Sequence, residues 1–314
     1  MDNSKHKCSI FYSIISFVLM LALLTGVGFA ETKADVSKNK APIAEKCEFK
    51  TYTDIPVAGT LSAVDPEGDA VTFALSREPK KGTVKLENTG SFTYTPQSGK
   101  KGKDAFSYVA VDALGNISAE TTVTIQILKQ ICNVNYTDMN GNDALYSAVY
   151  LAENDIFTGT KVGNHYCFEP EREIMRGDFL VMCLDLCKIS SLSDITRTSF
   201  SDDDSISPWL KPYIGAALIN GIITGYQSGA GVVFDADRPI TVAEAMVTLE
   251  NALSLTDVTA ETFAPEDCPS WARQACANLS SCDITVSGSI YDKVLTRADA
   301  AKLLVSAVSV LENR

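Results

Sequence analysis

Histidine is almost missing from this 314-residue chain, which has only His6 and His165. A histidine-dependent catalytic triad could then rest only on His165, which lies in Gly163-Asn-His-Tyr with no nucleophile-elbow motif beside it. Zinc chemistry is equally poorly supplied. Cys183 and Cys187 are one helical turn apart, but they fall on an apolar stripe where small buried hydrophobes suffice. Positive charge is scarce in the second half: from residue 131 onward there are 12 Lys and Arg against 25 Asp and Glu, whereas the first 130 residues hold 15 against 14. Such an acidic half argues against nucleic acid as a partner, because phosphate binding needs a basic face. Beyond the first thirty residues no apolar run is long enough to cross a membrane.

The N-terminus has the pattern of an export signal. Lys5, His6 and Lys7 precede an apolar run from Ile10 to Leu24, and Gly28-Phe29-Ala30 offers small residues for cleavage after Ala30. An uncleaved membrane anchor is the competing expectation for residues 1–30. Loss of Cys8 with the signal leaves eight cysteines for an oxidising exterior, with 105 possible pairings. Cys268, Cys276 and Cys282 are close enough in sequence to pair locally. Residues 31–41 are nearly devoid of apolar side chains and read as a flexible tether.

Between residues 42 and 128 the side chains alternate with period two. The runs Val71–Leu75, Gly82–Leu86, Ser91–Thr95, Ala105–Val111 and Thr121–Ile127 are rich in β-branched and aromatic residues, and turn signals such as Asp65-Pro-Glu-Gly68 separate them. Five to seven strands in this length predict an antiparallel β-sandwich. From about Ile131 helical spacing takes over, and the chain repeats itself. Tyr136-Thr-Asp138, Phe200-Ser-Asp202 and Phe263-Ala-Pro-Glu266 open three segments, 131–190, 197–256 and 260–312. Each continues with a first helix, on whose apolar face Trp209 and Trp271 would lie. A turn follows at Asn154-Asp-Ile156, Asn220-Gly-Ile222 and Cys282-Asp-Ile284. The second helices start at Met175-Arg-Gly-Asp178, Thr241-Val-Ala-Glu244 and Thr296-Arg-Ala-Asp299, of which the last two read as capping boxes. The expected architecture is multidomain: the sandwich, then an all-α bundle of three helix-pair repeats that must pack together to bury their stripes.

These residues resemble the S-layer homology repeat. The likeness rests on Phe200-Ser-Asp202, Trp209, Gly221-Ile-Ile-Thr-Gly-Tyr226, Phe234-Asp-Ala236 and Leu295-Thr-Arg-Ala-Asp299, and extends over about 131–311. The resemblance implies a pseudo-threefold bundle that binds pyruvylated secondary cell-wall polysaccharide in grooves between repeats. The segment 42–128 resembles bacterial Ig-like or cadherin-like domains through Val64-Asp-Pro-Glu-Gly-Asp-Ala-Val-Thr-Phe73 and Gly102–Asp112, domains that serve as spacers or adhesive modules.

The chemistry beside that resemblance is simple. A pyruvate ketal is a carboxylate on a sugar, and an acidic protein needs a locally placed cation to hold it. Arg176 and Arg297 stand at helix starts, where a guanidinium fork sits beside the positive end of the helix dipole. Trp209 and Trp271 could stack on sugar faces or pack in the core, and the loop at Thr224, Gly225 and Tyr226 could hold hydroxyls. The second repeat has Val242 where the arginine belongs, and the first has Met175 in place of the capping threonine. Asp65, Glu67, Asp69 and Asp112 are oxygen donors of the kind that suit Ca²⁺, or plain solvated turn acids. The expectation is a secreted cell-surface protein that is not an enzyme. It would anchor non-covalently to wall glycan, possess no membrane span after signal cleavage, and contact other surface proteins through the sandwich. The alternative is a structural or adhesive surface protein whose degenerate repeats serve self-assembly.

Overall fold

The computed structural model describes residues 39–312 except 133, 230 and 287–289. The expected signal segment 1–30 lies outside the described residues. The first part is built on two sheets. One has the order β2 (Cys47–Tyr52), β9 (Thr121–Leu128), β8 (Gly102–Val111), β5 (Thr72–Arg77); the other has β3 (Val57–Thr60), β7 (Ser91–Pro96), β6 (Gly82–Leu86). β1 (Ile43–Ala44) and β4 (Ala63–Val64) form a two-stranded ribbon whose flanking carbonyls, Glu45 and Ser62, accept from the Tyr108 hydroxyl of β8 at 2.6 and 2.9 Å. Alternation decides which face is buried. Along β9, Val123, Ile125 and Ile127 are buried, and they share a core with Phe92 and Tyr94 of β7 and Phe106 and Tyr108 of β8. The purely antiparallel expectation needs one correction, since β2 runs parallel to β9 with Cys47 opposite Val123. Inward alternation is the same for either direction, so the side-chain pattern carries no sign of it.

The second part contains α1 (Leu145–Glu153), α2 (Arg176–Leu186), α3 (Lys211–Ile219), α4 (Val242–Leu253), α5 (Ala260–Phe263), α6 (Arg273–Ser280), α7 (Arg297–Ser306) and α8 (Val308–Glu312). It is not all-α. Small hairpins join the first and second helices of two units: β10 (Thr160–Val162) with β11 (His165–Cys167), and β12 (Tyr226–Ser228) with β13 (Gly231–Val233). The apolar stripes face one core, with Phe179, Leu184, Ala245, Leu249, Ala300 and Leu304 all buried. Tyr52 and Ile55 of the sandwich join that core, where the Tyr52 and Tyr146 ring centroids are 5.9 Å apart.

The sequence phrases that repeat carry geometry that repeats. Asp155, Gly221 and Asp283 all have left-handed backbone, at φ 56°, 69° and 59°. The next residue in each case reaches back five positions to end the first helix: Ile156 N–H to Leu151 O at 2.9 Å, Ile222 to Ala217 at 2.8 Å and Ile284 to Leu279 at 3.0 Å. Asp138 accepts from the amides of Phe168 and Glu169 at 3.0 and 2.7 Å, and Asp202 accepts from Phe234 and Asp235 at 3.0 and 2.8 Å. The aromatic-x-Asp phrase is therefore a clamp on the segment before the second helix. Phe263 does not open the third unit in this way; it is 44% exposed, whereas Tyr136 and Phe200 are buried.

Hydrogen bonds between the units run in cyclic order. Ile174 N–H donates to Leu295 O at 3.1 Å, Ile240 to Ile174 at 3.0 Å and Leu295 to Ile240 at 2.9 Å. Each second-helix start also docks on its neighbour: Arg176 N–H on Arg238 O at 2.9 Å, Val242 on Lys293 at 2.9 Å and Arg297 on Arg172 at 2.8 Å. These orphan amides of three helix starts find acceptors only because the neighbouring unit supplies them.

Candidate ligand groove between the helical units

The docking of α2 on the second unit brings Arg176 into a crevice. Its Nε donates to the Phe234 carbonyl at 3.0 Å, and its Nη1 lies 3.1 Å from Glu244 Oε1. The guanidinium is 5.2 Å from the Phe234 ring centroid and 5.8 Å from that of Tyr226. Among the described residues no hydrogen bond uses Nη2. The side chain is only 10% exposed, and burial pulls its pKa below the ordinary arginine value, against the opposing charge of Glu244.

Glu244 holds three groups at once. One oxygen meets Arg176 and takes a 2.6 Å hydrogen bond from Arg238 Nη2; the other accepts the Thr241 amide at 3.0 Å. The last contact completes the capping box expected at Thr241, whose hydroxyl accepts from Glu244 N–H. Burial pushes the Glu244 carboxyl up, but the Arg238 bond, the Thr241 amide and the Arg176 charge outweigh it and hold the group below the usual carboxylate value. At Thr296 the cap is half built. The hydroxyl accepts from Asp299 N–H at 3.2 Å, while the shorter Asp299 carboxylate turns toward Lys302 and Lys293, at 3.8 and 3.7 Å.

A cavity of about 380 Å³ opens beside this cluster. Its walls are Arg176, the loop Ile222–Tyr226, the α4 residues Glu244, Val247, Thr248 and Asn251, and Trp271 of the third unit. Arg176, Thr224, Gly225, Tyr226 and Trp271, five of the seven expected glycan-binding residues, meet here. Gly225 has φ +70°, and a Cβ there would fall 2.5 Å from Phe200 Cε1 and 2.6 Å from the Val233 carbonyl, so the loop demands glycine. Asn251 Nδ2 pins the loop by donating to Ile222 O at 3.0 Å. Tyr226 turns its hydroxyl to Asp235 at 2.6 Å.

The core-facing reading of the tryptophans is corrected. Trp271 is 61% exposed and Trp209 is 55% exposed, and both precede their helices, which begin at Arg273 and Lys211. Trp209 stands outside the cavity, edge-on to Tyr213 with centroids 6.3 Å apart.

Arg297 occupies the matching position in the third unit, where it docks on the first. Its Nη1 donates to the Phe168 carbonyl at 3.0 Å and pairs with Glu169 at 2.9 Å, while its guanidinium lies 5.2 Å from the Phe157 centroid. Both arginines therefore enter inter-unit crevices, and each is partly neutralised by a glutamate.

A third crevice, of about 160 Å³, has Asp143, Thr285, Val286, Asp299, Lys302 and Leu303 on its walls. Its residues correspond to those of the large cavity, with Asp299 in the place of Glu244 as the third residue of its helix. The expected lack of an arginine, from Val242, is met in part by Lys302, 3.2 Å from Asp143. Sequence reading missed Arg238, Asn251 and Lys302, and gave Glu244 a capping role alone. Laying the second helices over one another at their caps would have picked out Glu244 and Lys302.

The expected calcium acids are hydrogen-bonded turn residues. Asp65 Oδ1 accepts the Glu67 and Asp69 amides, each at 3.0 Å, and Asp112 accepts from Leu114, Asn116 and Asn39. Among the described residues no group of three or more His, Cys, Asp or Glu side chains is arranged to hold a metal ion. Among the same residues no helix is long and apolar enough to cross a membrane.

Comparison with known proteins gives two family matches and one curated relative. A stretch of 128 residues, 40% of this chain, is 25% identical to the surface-layer 125 kDa protein of Lysinibacillus sphaericus, and spans about a tenth (10%) of that protein's length. Among solved structures, an endo-fucoidan hydrolase of glycoside hydrolase family 107 aligns over 33% of this chain and 15% of its own at 18% identity, with a TM-score of 0.25. The SrpA adhesin of Streptococcus sanguinis aligns over 33% and 64% at 14% identity, again with a TM-score of 0.25. Scores this low carry no argument. Residues 39–129 match the family of bacterial cadherin-like domains, and residues 199–246 match the S-layer homology domain.

Proposed function

We propose that this is a surface-attachment protein, not an enzyme, whose helical part holds on to cell-wall glycan while the sandwich is displayed as a spacer or adhesive module. In this reading residues 131–312 are three S-layer-homology-like repeats closed about a pseudo-threefold axis, and the protein is exported to the cell surface. The S-layer homology match, the surface-layer relative and the cyclic hydrogen bonds between units support it.

The carrying observation is the cavity itself. It has on its walls the Arg176 guanidinium, whose Nη2 makes no hydrogen bond among the described residues, and the exposed Trp271, together with Thr224, Thr248 and Asn251. A carboxylated sugar such as a pyruvate ketal would place its acid on Arg176 and its ring on Trp271. Glu244 limits the local charge, so the ring and hydroxyl contacts must contribute much of the binding. The test is co-sedimentation with purified wall sacculi before and after chemical removal of pyruvate, for the wild type and Trp271→Ala. Binding that needs both pyruvate and Trp271 supports the reading; indifference to pyruvate removes the carboxylate claim.

The pairing of both arginines with glutamates favours a second reading, in which they are clasps between units and the repeats serve self-assembly. That reading expects oligomers by analytical ultracentrifugation and no retention by sacculi.

A further inference from the structure

We propose that the sandwich carries a second binding surface, a cluster of five lysines that holds a chain-like polyanion bearing phosphodiester or carboxylate groups. The surface is separate from the groove and does not depend on it. Lys80 and Lys81 lie in the turn before β6, Lys100 and Lys101 lead into β8, and Lys103 is the second residue of β8. Asp104 brings these distant stretches together. Buried at the start of β8, it accepts the Lys80 amide at 2.9 Å, the Lys81 amide at 2.7 Å and the Tyr94 hydroxyl at 2.8 Å. Lys81 Nζ then donates to the Lys101 carbonyl at 2.9 Å, and Gln97 N–H to the Lys81 carbonyl at 2.7 Å. The oxygens of Asp104 are taken by these amides and the tyrosine; Glu78, exposed two residues before Lys80, and Asp54, which accepts the Gly99 amide at 2.9 Å, are further acids of these turns, and neither forms an ion pair with a lysine of the cluster among the described residues.

The ammonium groups are left unneutralised. Lys50, Lys211, Lys293 and Lys302 each pair with an acid, whereas no ion pair reaches Lys80, Lys81, Lys100, Lys101 or Lys103 among the described residues. Lys80, Lys100, Lys101 and Lys103 are exposed. In a chain of net charge −12 this is a marked segregation. The acids Asp65, Glu67, Asp69 and Asp112 gather toward the other end of the sandwich, where β8 finishes at Val111 after ten residues, about 30 Å away at roughly 3.3 Å per residue.

The residue types select the ligand class. Protein interfaces favour arginine and aromatics and disfavour lysine. No large apolar side chain is exposed in these two turns, since the nearest such residues are Val64 and Leu114. Mobile ammonium groups act as point charges and suit phosphate or carboxylate groups strung along a flexible polymer. Two sites on one wall-bound chain would also raise the effective concentration of each for its own ligand.

The experiment uses the full chain with immobilised polyphosphate and polygalacturonate as probes, across a salt series. The wild type should bind at least one probe, and affinity should fall about tenfold or more from roughly 50 to 200 mM salt. The variant K80S/K81S/K100S/K101S/K103S, with its fold verified by near-ultraviolet circular dichroism, should lose about tenfold or more. Preference for one probe names the anion as phosphate or carboxylate. Trp271→Ala, which tests the groove, should bind polyphosphate as the wild type does, whereas any loss it shows on polygalacturonate belongs to the carboxylate-binding groove, so the two proposals fail separately. Equal binding by the five-serine variant overturns the lysine surface, as does binding to neither probe. Lysine-dependent dimers seen without any probe would transfer the surface to a second copy's acidic helical part and also overturn it.

Discussion

The Arg176 crevice and the Lys302 crevice are built from corresponding pieces, yet they present different chemistry. In each, a post-helix loop and a second helix from one unit meet the start of a first helix from the next. In the larger, a guanidinium crosses from a neighbouring unit, and Trp271 forms the wall. In the smaller, the cation is Lys302 from the second helix itself, and Asp143 stands on the wall. The backbone frame is thus shared through its hydrogen bonds, and single side chains decide what each crevice can hold.

Arg176→Ala should break this comparison most severely. It leaves Glu244 half-buried with one partner fewer and should lower unfolding free energy by about 2–4 kcal/mol in urea denaturation, with loss of sacculus binding. Gly225→Ala should cost about 2 kcal/mol or more, since the left-handed backbone and the Phe200 ring both oppose a Cβ. Trp271→Ala should leave stability within about 0.5 kcal/mol while reducing glycan affinity about tenfold, and Trp209→Ala should leave affinity for the Arg176 groove unchanged. Acid should loosen the larger crevice through Glu244. Its folded pKa lies below the ordinary glutamate value of 4.5, so its contribution is present above that pH and is lost as pH falls through the folded value. Glu244→Gln should flatten that part of the stability–pH curve. Lys302→Ala should have the smallest effect, under about 0.5 kcal/mol, because its pair with the 74% exposed Asp143 is solvent-screened.

Much of the candidate site could be read from the chain. Arg176 and the Thr224–Tyr226 loop were expected in a glycan site because each sits at a helix end, where local signals are strong. Glu244 was legible as a cap three residues after Thr241, but its pairing with Arg176 joins residues far apart in sequence. The tryptophans were misplaced because helical spacing was extended back through Trp209 and Trp271, ahead of the true helix starts. The hairpins β10–β11 and β12–β13 escaped notice since three-residue strands are too short to show alternation. The parallel β2–β9 pair escaped for another reason: period two reports the face of a strand and not its direction.

What the sequence alone determined is local and periodic: where strands alternate, where helices cap, and where a left-handed residue must end a helix. Those properties depend on neighbours within a few residues, through sterics and short hydrogen bonds. The tertiary structure alone decided which helix start docks on which unit, that Glu244 would meet two guanidinium groups, and that Asp104 would bring two lysine-bearing turns together. Such pairings join residues remote along the chain, and only packing of the finished core fixes the distances at which their charges interact.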